Sequence, residues 1–360
     1  MTVTMPPEWC PHSRTWMGWP PTGGYIREAD GGSDVAAWAA VAAAVVDFEP
    51  VSMLVPPEQR DEARAALDPR VELVEVPLDD AWLRDIGPTF VHDASGGLVA
   101  VDWVFNGWGH SSESFELDSQ IGQFVARQAG APVLASSLVN EGGGICVDGE
   151  GTVIITETVQ LHEKRNPGWT KHRVEDELAA TLGVSKVIWL KRGLTGDMQE
   201  FRPGVGTNGH VDVLAAFARP GVVLVHGQSD PDHPDHTVMS ENVERLRSTT
   251  DAKGRQLQIV PIEAPTNHVV DGVPIDNSYI NFSFVNGGIV ASTYGDEVAD
   301  ARAVSILREW FPERRIVCVD ARPIIRNGGG VHCITQHQPA PAVGADLNRT
   351  RNEGPRDLGQ

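Results

Sequence analysis

Four short stretches of this sequence hold side chains that could do chemistry together. Cys333 follows three consecutive glycines in RNGGGVHCITQHQP. Such a run lets the backbone take positive φ and approach a ligand closely, at an entropic cost that a specific geometry usually offsets. A thiol there can stand at the end of a strand and face a cleft as a nucleophile. The plainer reading is a buried small hydrophobe, the fate of most free cysteines. His210 and Asp212 lie two apart in GTNGHVDVLAAF, so on an extended segment both project from one face with Val211 packed behind. The pair could supply a general acid/base and an anionic anchor. A satisfied His and Asp in a turn is an equal alternative, and a metal site lacks a third ligand nearby in the chain.

Asp85 lies in DDAWLRDIGPTF, where Gly87-Pro88 favours a turn just after the acid. Trp82 and Asp85 would then face one space, an aromatic wall beside a carboxylate, which suits a planar cation: a carboxylate takes a guanidinium through two hydrogen bonds and the ring face attracts positive charge. A surface turn carrying Arg84 and Asp85 explains the same residues. Glu141, in NEGGGICVDGEG, could hydrogen-bond a catalytic histidine and raise its basicity, or be an ordinary loop residue. His233 and His236 in SDPDHPDH resemble a metal tract but fit a surface loop. Trp16, Trp19 and Trp108 could line a cleft or fill core.

The elements that must position these residues alternate. Helical patterns at 34–48, 59–67, 115–129 and 172–182 are interleaved with extended runs at 51–55, 71–76, 98–105, 152–156 and 186–190. The alternation continues through 222–226, 238–247, 257–262, 279–285, 289–293, 298–310 and 315–319, which indicates an α/β architecture. Polar or glycine-rich punctuation recurs at five places: Trp82 to Pro88, Asn140 to Gly144, Asn208 to Asp212, Asn286 to Gly288 and Asn327 to Cys333. Their spacing is on the scale of supersecondary repeats around a closed array. The chain has neither a Rossmann fingerprint after an early strand nor a GxxxxGK[ST] loop. The segment from about residue 340 lacks periodicity and reads as a disordered tail.

Composition narrows the partners. A net charge of −20 argues against nucleic acid and anionic membrane, which need a basic face; it suits a cationic ligand, and solubility is the plainer reading of the same number. The longest apolar run, Val35–Val46, is too short to span a bilayer, and the N-terminus has no secretory pattern. A cytoplasmic location is expected. Four cysteines without a CxxC pair read as free thiols.

Taken together, DDAWLRDIGPTF, EGGG, GTNGHVD, SYINFSFVNGG and GGGVHCITQHQP occur in an order that resembles the agmatine deiminase family, within the guanidine-modifying superfamily that includes arginine deiminases and amidinotransferases. The similarity runs from EW and WMGWP to QHQP, roughly nine-tenths of the chain. The resemblance implies a five-bladed pseudosymmetric α/β propeller forming a single domain over residues 1–340, with 341–360 as tail. It implies Cys333 as nucleophile, His210 as general acid/base, Asp85 and Asp212 as the carboxylates that clamp a guanidinium beside Trp82, and Glu141 as the partner of His210. The expected partner is a small cationic guanidine, most simply agmatine, with neither metal nor organic cofactor; a homo-oligomer is left open. Another guanidine (a guanidino acid, arginine or peptidyl arginine) and amidinotransfer are the alternatives. Two departures bear on that choice: agmatine-type members carry an acid four positions before the histidine, where this chain has Gly206, and another where it has Cys10. Arg202 nearby would suit a substrate carboxylate.

Overall fold

The computed structural model describes residues 2–24, 26, 34–109, 114–202, 204–267, 269, 270 and 272–342. The expected tail beyond 342 lies outside the described residues. The fold is mixed α/β, and the described residues form two four-stranded sheets, three of three strands and a two-stranded ribbon.

One unit recurs in every larger sheet: an antiparallel strand pair, a helix, and a third strand parallel to the second. Thr89–Asp93 pairs with Leu98–Val104, the chain crosses through helix Ile121–Gln128, and Val133–Val139 returns parallel. Cys146–Val147, Thr152–Thr156, helix Lys171–Leu182 and Lys186–Leu190 repeat the plan. So do Ala215–Arg219, Val222–Gly227, helix Pro234–Arg247 and Gln258–Glu263, and Ser283–Val285, Gly288–Thr293, helix Glu297–Trp310 and Arg315–Asp320. The remaining unit joins the two ends of the chain: Gln336–Pro339 pairs antiparallel with His12–Gly18, and helix Val35–Val46 leads to the parallel Val51–Val55.

The sequence explains these elements locally. Central strands such as Val51–Val55 and Thr152–Thr156 are buried along their whole length, which is why they are mostly apolar and lack the strict alternation of a half-exposed strand. Helix Val35–Val46 is apolar on most sides and packs into a core with Met53, Trp82 and Val290. Thr170 accepts a hydrogen bond from the Arg173 backbone N–H at the start of Lys171–Leu182, and Gly183 closes that helix at φ +71°. Trp16 and Trp19 are core. No helix among the described residues is long and apolar enough to cross a membrane.

Two expectations need correction. The stretch 279–285 is a strand only over Ser283–Val285, which leaves Asn281 in the preceding loop. The segment carrying His210 and Asp212 is not extended: Val211–Val213 forms a 3-10 turn.

Candidate active site

Each unit places its chemistry in the short segment just before its first strand: Asp85, on the one-turn helix Leu83–Ile86, before Thr89–Asp93, Glu141 before Cys146–Val147, His210 and Asp212 before Ala215–Arg219, Asn281 before Ser283–Val285, and Cys333 before Gln336–Pro339. Repetition of the unit thus brings five distant loops to one place.

Gly143 marks the meeting point. A Cβ built on it would lie 2.5 Å from His210 Nδ1, 3.0 Å from Asp85 Oδ1 and 3.1 Å from Asp212 Oδ2. Its own N–H donates to Asp85 Oδ1 at 3.0 Å, and the Trp108 indole N–H donates to Asp85 Oδ2 at 2.9 Å. His210 Nε2 lies 3.1 Å from Glu141 Oε2, and its Nδ1 is 3.7 Å from Asp85 Oδ1. Glu141 is further held by Arg165, whose Nε donates to Oε1 at 2.8 Å, with both side chains fully buried. The loop bearing His210 is tied down by Asp197, which accepts from the backbone N–H groups of Thr207, Gly209 and His210.

The Cys333 thiol sits 3.5 Å from Asp212 Oδ2, and the Asn281 amide donates to its sulfur at 3.2 Å. Asp212 Oδ2 also accepts from His332 Nδ1 at 2.8 Å, while Asp212 Oδ1, buried, has no hydrogen-bond partner among the described residues. An open carboxylate oxygen in such a place is costly unless a ligand donates to it. Cys333, Asp85, Trp82 and Trp108 line one narrow cleft, together with Asp80, Val205, Thr207 and Asn327. Gly329 lets the Trp82 ring close against Cys333: a Cβ there would lie 2.4 Å from that ring and 3.1 Å from the Cys333 Cβ.

Electrostatics follow from burial and proximity. Burial pushes the Cys333 thiol well above its ordinary value, and the charges of Asp212 and Asp85 push the same way. Burial lifts Asp85 to about 6, opposed by His210 and helped by Asp212 and Glu141. Burial works against the charge on His210, yet Asp85 and Glu141 outweigh it and raise its pKa to about 9. Glu141 is held at about 2, burial being overcome by Arg165 and His210. At neutral pH His210 is an imidazolium and Cys333 a thiol.

The five chemistry-bearing residues expected from the sequence, Cys333, His210, Asp212, Asp85 and Glu141, are thus gathered, with Trp82 beside them. Asn281, Arg165, Asp197, His332, Arg84 and Glu8 are participants that sequence reasoning missed. The signal for Asn281 was its position, just ahead of a hairpin like the other site residues. Asn286-Gly287-Gly288 belongs elsewhere: it is the turn of that hairpin, where Asn286 bonds Glu49 and His12. His233 caps helix Pro234–Arg247 and His236 bonds the Gln228 carbonyl, both outside the cleft. Arg202 pairs with Asp276 at 3.3 Å and does not line the cleft. A Cβ on Gly206 would lie 2.3 Å from the Asp197 carbonyl oxygen, so no acidic side chain fits there, and Cys10 is not among the cleft residues.

A family model described as Porphyromonas-type peptidyl-arginine deiminase matches residues 4–339. Fold and site therefore define a guanidine-modifying hydrolase by class. The chain belongs to that Porphyromonas-type peptidyl-arginine deiminase family. A Streptomyces avermitilis relative is 54% identical, covering 93% of this chain and 96% of its own. The agmatine deiminase of Stutzerimonas stutzeri is 42% identical, over 94% and 96% of the two chains. A solved structure of the agmatine deiminase of Enterococcus faecalis matches with a TM-score of 0.87 at 33% identity, covering 94% of this chain and 96% of that one. The likeness to agmatine deiminases read from the motifs is borne out.

Proposed function

We propose that the chain hydrolyses the guanidine of agmatine to N-carbamoylputrescine and ammonia through a covalent thiouronium on Cys333. The observation that carries the reading is the thiol 3.5 Å from Asp212, in the same cleft as Asp85 and with one Asp212 oxygen left open. The choice of agmatine rests on the named relatives. A site whose acids at 85 and 212 lack a facing Arg202 also suits a substrate without a carboxylate.

Asp85 and Asp212 clamp the planar cation so that its central carbon faces Sγ. The bound positive charge lowers the thiol pKa, and the proton leaves to solvent. The thiolate adds to the carbon, giving a neutral tetrahedral adduct. His210, protonated in the free site, gives its proton to one nitrogen, the C–N bond breaks, ammonia departs, and a thiouronium cation remains. Neutral His210 then takes a proton from water as the oxygen adds to that carbon. Collapse breaks the C–S bond, the hydroxyl proton passes to the departing sulfur as the C=O forms, and the thiol is restored as the neutral ureido product leaves.

The five repeated units are arranged, on this reading, as a closed five-bladed propeller over residues 1–340 forming a single domain. The pairing of Gln336–Pro339 with His12–Gly18 supports closure, since it puts strands from both chain ends in one sheet. Four unpaired cysteines fit work in the cytoplasm.

A colorimetric ureido assay across agmatine, arginine, guanidinobutyrate and a peptidyl arginine tests the function. Agmatine turnover with ammonia released in equal amount, without an acceptor amine, is expected; product only in the presence of an amine would make the enzyme an amidinotransferase.

A further inference from the structure

Behind the proposed clamp lies a buried ladder of charges. His332 Nδ1 meets Asp212 Oδ2 at 2.8 Å, and its Nε2 meets both Glu8 oxygens at 3.0 Å. A neutral imidazole carries a single N–H and would turn a lone pair toward one of the two carboxylates. Only the imidazolium donates from both nitrogens. Glu8 is fixed from its other side by Arg84 Nη1 at 3.1 Å, while the Arg84 Nε donates to the His332 carbonyl and its backbone N–H to the Cys333 carbonyl. The ladder is therefore anchored to the backbone of the residue pair that carries the thiol. The His332 backbone N–H donates to Asn281 Oδ1, whose amide nitrogen contacts the sulfur. On the far side, Glu8, His332 and Asp212 border a separate, narrow pocket with apolar walls that include Trp9, Phe217 and Phe282. Such a setting keeps the local dielectric low and the ion pairs strong.

We infer that Glu8 and His332 are positioning residues that act through Asp212. As a fixed cation wedged between two carboxylates, His332 selects the Asp212 oxygen that stays open and offsets the Asp212 charge beside the Cys333 sulfur. The inference deepens the proposed mechanism and rests on it for the meaning of the open oxygen, but the charge balance around the thiol can be measured without a substrate. Charged and titratable groups facing His332 are Glu8, Asp212, Arg84 and His337. Those acting on Cys333 are Asp212 and Asp85. Burial and Arg84 disfavour a charge on His332, and Glu8 with Asp212 outweigh them.

The experiment has two arms. In the first, iodoacetamide alkylation of Cys333 is followed against pH by peptide mass in wild type, Glu8→Gln, His332→Asn and His332→Leu, without substrate. Loss of the cation is expected to move the midpoint up by about one pH unit in both His332 variants, with a smaller upward shift in Glu8→Gln. In the second arm, agmatine kinetics are compared. His332→Leu is expected to raise KM about tenfold or more, the cost of a misdirected carboxylate. His332→Asn, whose amide nitrogen can donate where Nδ1 donates, is expected to recover most of that KM but none of the alkylation shift. A wild-type midpoint in His332→Asn or Glu8→Gln overturns the inference, as does equal KM in His332→Asn and His332→Leu. Both conservative variants keep the hydrogen-bonding shape, so the test stands if the leucine variant does not fold. Absence of agmatine turnover in wild type would sink the functional reading, while the alkylation arm would still decide the charge balance.

Discussion

His210 and Glu141 stand 69 positions apart in the chain and meet at 3.1 Å, Nε2 to Oε2. Together with the charge of Asp85, the contact raises the imidazole pKa to about 9 against the cost of burial, because Glu141 is itself ionised down to about 2 and stabilises the protonated ring.

The pH profile of kcat, which reports the substrate complex, is expected to carry an alkaline limb. There the bound cation has already drawn the proton from Cys333, and activity falls as His210, whose pKa the neighbouring carboxylates raise, loses its own proton. Glu141→Gln removes a negative charge beside His210, so its alkaline limb should move to lower pH. An alkaline limb that stays in place in this variant would mean another group sets it.

Gly143→Ala is expected to lower kcat/KM by roughly a hundredfold or more, since misplacing reacting groups by about an ångström costs that much. The added methyl would overlap His210 and crowd both Asp85 and Asp212. Steady-state kinetics alongside a thermal melt separate this loss from unfolding.

Arg165→Met leaves Glu141 charged and fully buried, with its guanidinium partner gone and the His210 imidazolium still beside it. Breaking a buried pair in this way costs about 3–5 kcal/mol, and a denaturant titration of the variant should show a loss of that size. Arg165→Met paired with Glu141→Leu should recover a large share of it.

Stability should also carry the histidine's signature. The folded-state pKa of His210 is raised from its ordinary 6.5 to about 9, so its contribution is whole below 6.5 and is lost as pH rises through 9. Thermal melts of wild type and His210→Asn should therefore converge between those two pH values. Parallel curves would place the histidine's charge elsewhere.

Much of the site could be read before the fold was known, because glycine runs and paired polar residues mark loops that must approach something closely. Cys333, His210, Asp212, Asp85 and Glu141 all lie beside such punctuation. What stayed hidden depends on long-range geometry. Asn281 sits at the end of SYIN, where an apolar run masks the loop, and Glu8 reaches His332 across 324 positions. The strand His12–Gly18 gains its place from pairing with Gln336–Pro339 at the other end of the chain, which no local pattern encodes. The 3-10 turn at Val211–Val213 was missed because apolar β-branched residues favour an extended reading. The tight approach of Gly193 to Gly209 helps explain the turn's entry: a Cβ on Gly193 would lie 2.1 Å from the Gly209 Cα.

The central claim is that the sulfur of Cys333 bonds to the guanidine carbon. Intact-protein mass spectrometry after rapid acid quench of enzyme mixed with agmatine tests it most directly. The expected result is a transient adduct on Cys333 with the mass of the substrate less ammonia, absent from Cys333→Ser, which should also lose at least about a thousandfold in turnover. Full turnover by Cys333→Ser, or wild-type turnover with the thiol unmodified at every quench time, would contradict it.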